Sequence, residues 1–368
     1  MQVGRGRLIR IARRSLDWKG CLLLAAVVSL GVRMASLSDG SLGWAQEGVA
    51  TSSERNGTFN LAYIPRNAIA VMWLRPASLL EHPVSVPLQE SLSRMQQSGL
   101  NLGAKPQEII SLRLAILNDS SVAHSAVLAV ETETPEAADR FVKARGGGWE
   151  TQSVAGQEYL RREKGAYFKV NDRTVVFSYD EASVVRCILA GPTGASTTRW
   201  AQAWRGTLPA AATAVVNTSL LRTNPPMFAA NLLNEFRAKP SGLEGVVAGA
   251  ETRISALWQR SEYVIAALRI GGDIHVTLLN QSRTEDEAVA VQDALVIVNS
   301  AGRTALSEAR QLIVSQPEPP NLELLMAIDR LDELLEHLVI ARQGAQVHVT
   351  AVIEEPLVSI LSSGLAQA

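Results

Sequence analysis

Cysteine is scarce in this sequence of 368 residues, in which only Cys21 and Cys187 occur. Two cysteines allow at most one internal disulfide, so the fold cannot depend on a disulfide framework and must be held by a packed core. With 47 % hydrophobic residues the chain can fill such a core, and its length is enough for about two domains. The composition therefore excludes both a disulfide-stapled miniprotein and a largely disordered chain.

The sequence also lacks the short motifs of familiar enzymes. It contains no G-x-S-x-G, no H-E-x-x-H and no C-x-x-C. The glycine-rich run RGGGWE at residues 145–150 has neither the G-x-G-x-x-G spacing of a dinucleotide loop nor the Lys-Ser/Thr of a phosphate loop. We therefore expect no cofactor, and we interpret residues 145–150 as a loop between a helix and a strand.

Positive charge is concentrated at the amino terminus. Residues 1–45 hold seven of the 35 Lys and Arg residues and two of the 36 acidic residues. The remaining residues carry 35 − 7 = 28 bases and 36 − 2 = 34 acids, a net charge of −6. Binding to nucleic acid depends on clustered Lys and Arg that neutralise phosphates. The acidic body without a basic patch thus predicts no nucleic-acid partner.

The amino terminus has the order of a secretory signal. The basic run RGRLIRIARRSLDWKG precedes the apolar run CLLLAAVVSLGV at residues 21–32, and small residues follow before Gln46. We predict a signal peptide over residues 1–45, with cleavage after Ala45 and export to the periplasm or beyond. A membrane span needs about 20 apolar residues. A retained inner-membrane anchor at residues 21–32 is the alternative, and it is the only membrane contact that we expect.

The remaining sequence favours two tandem related α+β modules. A flexible leader covers residues 46–60, the first module 61–190, a linker 191–207 and the second module 208–368. Each module is expected to be an antiparallel sheet covered by helices, with the split β-α-β order of ferredoxin-like folds and extra strands. Residues 209–221 resemble residues 65–80, which indicates an internal repeat. Helices are expected to start after Thr134 and Thr284, and a short helix to end the chain.

Two histidines are candidate metal ligands, because His275 and His348 both begin a His-Val-Thr sequence after a glycine-bearing turn. Strand alternation places each histidine on the more polar face of its strand. Neither strand supplies a second His or a carboxylate two residues after its histidine, although zinc takes three or four protein ligands. The other interpretation is an ordinary water-facing sheet surface. His124 is one position out of register with them and adds no third ligand.

Five further positions are candidates on helices. Glu333 and His337 are four residues apart and can share a metal ligand, or they lie on the solvated side of an amphipathic helix. Cys187 lies on an apolar helical stripe and is expected to act as a small buried hydrophobe, with a nucleophile or redox sensor as the alternative. Trp200 and Trp204 are one helical turn apart. They are expected either to contact a partner or to pack one module on the other.

Three stretches carry a resemblance to a known group: YIPRNAIAVMWLRPASLL, GAYFKVNDRTVVFSYD and LLEHLVIARQGAQVHVTAVI. Over much of residues 60–355 the sequence resembles uncharacterised exported proteins of planctomycete-type bacteria, which implies a secreted or envelope location without a transferable active site. Our hypothesis is a non-enzymatic exported protein whose two-module surface binds a protein or an envelope component. The alternatives are a hydrolase or transferase with its site in the cleft between modules, and an inner-membrane-tethered accessory protein.

Overall fold

The computed structural model describes most of the chain from residue 61 onward. The described residues are 61–80, 103–117, 125–163, 165–205, 207, 210–223, 257, 259–270, 273–315 and 322–353. The predicted signal peptide and leader, His124 and the predicted C-terminal helix lie outside these residues.

Strands account for much of the described chain. Those of the first half are β1 (Ala68–Leu74), β2 (Ile109–Leu117), β3 (Ser125–Thr132), β4 (Glu150–Val154), β5 (Gln157–Arg162), β6 (Gly165–Lys169) and β7 (Thr174–Ser178). Those of the second half are β8 (Ala212–Val216), β9 (Ser261–Ile270), β10 (Ile274–Ser282), β11 (Val339–Gln343) and β12 (Gln346–Ile353). Burial alternates along β2 and β12 with the period of two that strand side chains require.

Helices occur between these strands. They are α1 (Pro76–Leu80), α2 (Pro135–Lys143), α3 (Glu181–Ala190), α4 (Arg199–Arg205), α5 (Thr218–Thr223), α6 (Glu285–Val314) and α7 (Leu322–Glu336). The predicted starts of α2 and α6 are confirmed. The Thr134 hydroxyl accepts a hydrogen bond from the Ala137 N–H at 3.3 Å, and the Thr284 hydroxyl accepts one from the Glu287 N–H at 3.2 Å. Each threonine thus satisfies an amide that the helix itself leaves without an acceptor.

All twelve strands of the described chain form one antiparallel sheet, in the order β11-β12-β10-β9-β8-β1-β2-β3-β7-β6-β5-β4. The α+β class with helix-covered antiparallel strands is confirmed. The two halves nevertheless share a single sheet, because β1 pairs with β8 and places Val71 opposite Val215. Both strands are short and mostly buried, so pairing them satisfies backbone groups that would otherwise be buried at two open edges.

One face of the sheet, the front face, is covered by α3 and α4. The largest apolar core cluster lies there and includes Val71, Trp73, Val127, Phe168, Val176, Val184, Cys187, Trp200, Trp204, Val215 and Ile265. This cluster draws on strands from both halves of the chain. The front-face core is therefore continuous across the pairing of β1 with β8.

The opposite face, the back face, is covered by α2, α6 and α7. Phe141 of α2 packs on Ile109 and Val130 in the first half. In the second half, Val291 of α6 packs on Val347. Leu334 of α7 belongs to a further cluster with residues of β10 and β12. Helices α2 and α6, which start at corresponding threonines, thus lie on the same side of the sheet.

The segment predicted to be a linker, residues 191–207, is part of the core. It contains a 3-10 turn at Gly194–Thr197 followed by α4. Helix α4 contacts β8 and β9, and both of its tryptophans are buried beneath it. A flexible linker does not require large apolar side chains at helical spacing. This segment has such side chains at Trp200 and Trp204. The sequence WAQAW is therefore better explained as a helix that packs on the sheet.

Candidate functional site

The structure places His275 and His348 on neighbouring strands but does not bring them together. Strand β10 pairs with β12, yet His275 lies opposite Val352 and His348 lies opposite Leu279. His348 is therefore four residues from the partner of His275, about 13 Å along the strand at 3.3 Å per residue. Burial lowers the pKa of His348, and its Nε2 lies 3.3 Å from Gln346 Oε1. The two side chains do not share a ligand site.

Glu333 and His337 lie at the carboxyl end of α7, and both side chains are exposed. The Glu333 carboxylate accepts a hydrogen bond from Arg330 Nη1 at 2.7 Å, and the His337 backbone N–H donates to the Glu333 carbonyl at 3.1 Å. In the described part of the chain, no group of three or more His, Cys, Asp and Glu residues is arranged to hold a metal ion. The two residues lie on the solvated side of an amphipathic helix.

Cys187 lies inside the front-face core and is fully buried. Burial raises the pKa of its thiol to about 12, because the core cannot solvate a thiolate. Nucleophilic and redox chemistry both require the thiolate. Cys187 therefore has the surroundings of a packed apolar side chain.

Trp200 and Trp204 are also buried, with 3 % and 0 % of their surface exposed. Their rings meet edge to face at a centroid separation of 6.2 Å, a geometry that favours aromatic pairs. Both rings lie between α4 and the sheet. The two tryptophans therefore pack in the core, and they expose almost no surface that a partner could contact.

A buried arginine lies on the front face, and no sequence pattern predicted it. Arg113 of β2 is almost fully buried, and its Nη2 lies 4.0 Å from Glu131 Oε2. The Ser111 hydroxyl donates to the same carboxylate oxygen at 2.9 Å. Burial lowers the pKa of Arg113, and the charge of Glu131 opposes that shift. The nearby carboxylate partly offsets the cost of burying the guanidinium charge, so this cluster has a structural explanation.

A second arginine cluster surrounds the glycine-rich loop at residues 145–150. The Arg145 guanidinium lies 3.5 Å from the Phe141 ring centroid and donates to the Phe141 carbonyl at 2.6 Å. Burial lowers its pKa to about 10. Cations stack on aromatic faces and bind the carbonyls at helix ends. The Arg145 side chain therefore caps the carboxyl end of α2, and residues 145–150 connect this helix to β4, as expected for a loop between a helix and a strand.

Helices α6 and α7 form an antiparallel hairpin that extends beyond the sheet. The residues of α6 that pack on the sheet belong to its first three turns, Ala288, Val291 and Leu295. The remaining 19 residues, Val296 to Val314, extend for about 28 Å at 1.5 Å per residue. We call this part of α6, with the first turns of α7, the distal hairpin.

Contacts between the two helices fix the distal hairpin. Arg303 Nε lies 2.8 Å from Asp332 Oδ1, and Arg310 Nε lies 2.7 Å from Asp329 Oδ1. These ion pairs are exposed and contribute little stability, but they define an antiparallel register. The buried side chain of Ile328 lies on the same stretch of α7.

That register brings exposed apolar side chains to one end of the hairpin. Val314 ends α6, Leu322 begins α7, and Met326 is one turn further on. Their exposed fractions are 54 %, 70 % and 55 %. Single exposed apolar residues are common on folded proteins, whereas larger exposed apolar patches mark interaction surfaces. We call these three residues the hairpin tip.

The helices of the described residues do not include one that is long and apolar enough to cross a membrane.

Comparisons with known proteins found only weak similarities to solved structures. No protein-family model matches the chain, and no curated protein matches it. The chain is similar to TP0453 in its crystal form IV, with 12 % identity, a TM-score of 0.41, and 84 % of this chain and 100 % of that chain covered. Crystal form III of TP0453 gives 12 % identity, a TM-score of 0.40, and coverage of 83 % and 98 %.

Proposed function

We propose that this protein is an exported, non-enzymatic binding protein that holds a protein partner at its hairpin tip. The observation that carries the proposal is the exposure of Val314, Leu322 and Met326 at one end of two helices that extend beyond the sheet. Folded proteins seldom expose a group of apolar side chains to water unless that group forms an interaction surface.

The chemistry of the tip favours a protein partner with an apolar groove. The aliphatic side chains of Val314 and Leu322 provide apolar contact area, and the unbranched thioether of Met326 adapts to an irregular surface. Among the described residues, Arg310 and Asp329 form an ion pair near this end of the hairpin, and their charges offset each other. The exposed charges of this pair suit the polar rim that surrounds an apolar contact centre.

We expect acidic substitutions at the tip to abolish the contact. In the native cell, a photo-crosslinking amino acid at Met326 should join the chain to one partner. Val314→Asp together with Leu322→Asp should lower the yield of that adduct at least about tenfold, because each buried carboxylate costs more than the 1.4 kcal/mol that a factor of ten requires. The measurement is the adduct yield by mass spectrometry.

The matched control is Leu189→Asp, since Leu189 is another exposed aliphatic residue, on α3. It should leave the yield of the Met326 adduct unchanged. The proposal fails if the tip and control variants give equal yields. It also fails if the purified chain binds vesicles of phosphatidylethanolamine and phosphatidylglycerol through the tip while no protein adduct forms.

Export is the second part of the proposal, and the basic and apolar order of residues 5–32 supports it. Fractionation of native cells should recover the protein outside the inner membrane, with a new amino terminus at Gln46 by N-terminal sequencing. An intact amino terminus in the membrane fraction would instead favour the anchor at residues 21–32.

We infer further that the two halves arose by duplication of one unit. The similarity of residues 65–80 to residues 209–221 supports this, since aligning Pro65 with Pro209 also aligns Val71 with Val215. These two valines lie opposite each other in the sheet. Equivalent residues of two units related by a two-fold axis face each other in the same way. The strand order also corresponds, because β3-β7-β6 on one side matches β10-β12-β11 on the other.

A further inference from the structure

Two arginines of the first half lie near each other on the back face of the sheet. Arg145 lies just after α2, and Arg162 ends β5, two residues after Leu160, which packs on the back-face core. A Cβ added to Gly146 would lie 3.1 Å from Arg162 Nη1, so this guanidinium lies against the backbone next to Arg145. Burial lowers the pKa of Arg145 to about 10, Tyr179 opposes the shift, and the charge of Arg162 adds to it. The two guanidinium groups are therefore close enough to repel each other.

Neither guanidinium forms an ion pair with a carboxylate of the described residues. The Nε atoms of Arg145 and Arg162 are buried from water and have no hydrogen-bond acceptor there. By contrast, Arg161 lies next to Arg162 in the chain and pairs with Glu150 and Glu181, at 3.5 Å in each case. Two partly buried positive charges without a counter-ion are costly, and a bound anion would remove that cost. We call Arg145 and Arg162 the arginine pair.

Aromatic rings hold both members of the arginine pair in place. The guanidinium carbon of Arg145 lies 3.5 Å from the ring centroid of Phe141 and 4.8 Å from that of Phe177. The guanidinium carbon of Arg162 lies 4.7 Å from the ring of Trp149. The Trp149 ring is itself fixed, because its Nε1 donates to a carbonyl of the glycine-rich loop at 2.7 Å. Stacking uses the faces of a guanidinium group and leaves the N–H donors at its edges available to an oxyanion.

We propose that the arginine pair binds a phosphate monoester, which is either free in solution or part of a lipid headgroup. Two guanidinium groups match a ligand that carries nearly two negative charges, and their planar N–H donors match its oxygens. A carboxylate has a single charge and would neutralise only one of them. Tyr179 is 76 % exposed, and its ring packs edge to face on Phe177 at 5.0 Å, which places a hydroxyl donor on the same side as Arg145. Side chains therefore form this site, and the glycine-rich loop needs no phosphate-loop motif.

The test is a titration of the purified chain with inorganic phosphate at neutral pH, followed by NMR of the indole N–H groups. Phosphate should shift the signal of Trp149, whose ring contacts Arg162, and leave the signals of the buried Trp200 and Trp204 unchanged. Arg162→Gln should raise the dissociation constant about tenfold or more, because it removes charge-assisted hydrogen bonds and 1.4 kcal/mol suffices for that factor. Arg145→Gln should have an effect of the same size. Unchanged signals of Trp200 and Trp204 show that each variant is folded.

Arg161→Gln is the matched control. Arg161 is the next residue along β5, but it lies on the other side of the strand and already has carboxylate partners. Its substitution should leave the dissociation constant for phosphate unchanged. Equal weakening by Arg161→Gln and Arg162→Gln would overturn the proposal, because it would show that phosphate responds only to net charge.

Two further results would overturn the proposal. One is a Trp149 signal that neither inorganic phosphate nor glycerol 3-phosphate shifts. The other is a shift by acetate at the same concentrations as phosphate, because the arginine pair would then accept any small anion.

Vesicles distinguish the two sources of the phosphate group. Cosedimentation with phosphatidylcholine vesicles that contain phosphatidic acid, if Arg162→Gln abolishes it, would assign the site to a lipid headgroup. Binding of glycerol 3-phosphate without cosedimentation would assign the site to a free phosphate monoester. The arginine pair lies in the first half of the chain and the hairpin tip in the second, so either site can fail its test without affecting the other.

Discussion

Replacing Trp204 with alanine is expected to lower the free energy of unfolding by about 3–5 kcal/mol. Trp204 is fully buried and is the largest such side chain of the described residues. Its removal loses the transfer free energy of the indole and leaves a cavity between α4 and the sheet, because a close-packed core relaxes only in part. Urea denaturation followed by circular dichroism measures the change.

The control for this substitution is Leu189→Ala on the outer side of α3. Leu189 is 63 % exposed, so its truncation should change the unfolding free energy by less than about 0.5 kcal/mol. A loss of less than about 1 kcal/mol for Trp204→Ala would mean that α4 does not pack on the sheet as described. Typical domains have only about 5–15 kcal/mol in total, so the expected loss is a large fraction of the stability.

Substitution of Gly194 by alanine is expected to cost about 2–5 kcal/mol of unfolding free energy, from strain and overpacking together. Gly194 has φ +39°, and an added Cβ would lie 2.3 Å from the Leu61 carbonyl oxygen and 2.9 Å from that of Ile64. Both obstacles are backbone atoms, which cannot rotate away as a side chain can. Thermal and urea unfolding of the purified variant measure the loss.

Gly147→Ala is the comparison for Gly194→Ala. A Cβ at Gly147 would meet nothing within 4 Å, so that variant should unfold within about 0.5 kcal/mol of the unsubstituted chain. Equal stabilities for the two variants would show that residues 61–64 do not lie against Gly194. Comparing the unfolding free energies of the two variants separates the cost of a close backbone contact from the general cost of replacing a glycine.

Local patterns in the sequence were sufficient to predict the α+β class and the starts of two helices. The threonine caps identified the starts of α2 and α6. The pairing of β1 with β8 was not predicted, because it joins segments about 140 residues apart. Strand alternation shows which side chains share a face but carries no information on which strand is the neighbour.

The candidate site was predicted less well. The His-Val-Thr sequences do mark adjacent strands, but the register separates the two histidines, and register depends on pairing that spacing within one strand does not reveal. The hairpin tip was missed because α7 shows an apolar stripe that any amphipathic helix has. Met326 lies off that stripe, and its exposure follows from how α6 and α7 pack against each other.

The pairing of β1 with β8 also determines how the chain can be divided. In the intact sheet each of these strands has a neighbour on both sides, β2 and β8 for one, β1 and β9 for the other. A fragment cut in the segment between the halves would expose a strand rich in Ala and Val, with its amide and carbonyl groups open along one side. Such a strand is a template for association with another copy. Each half produced alone would therefore tend to self-associate, and a soluble fragment would need charged residues or proline introduced on β1 or β8.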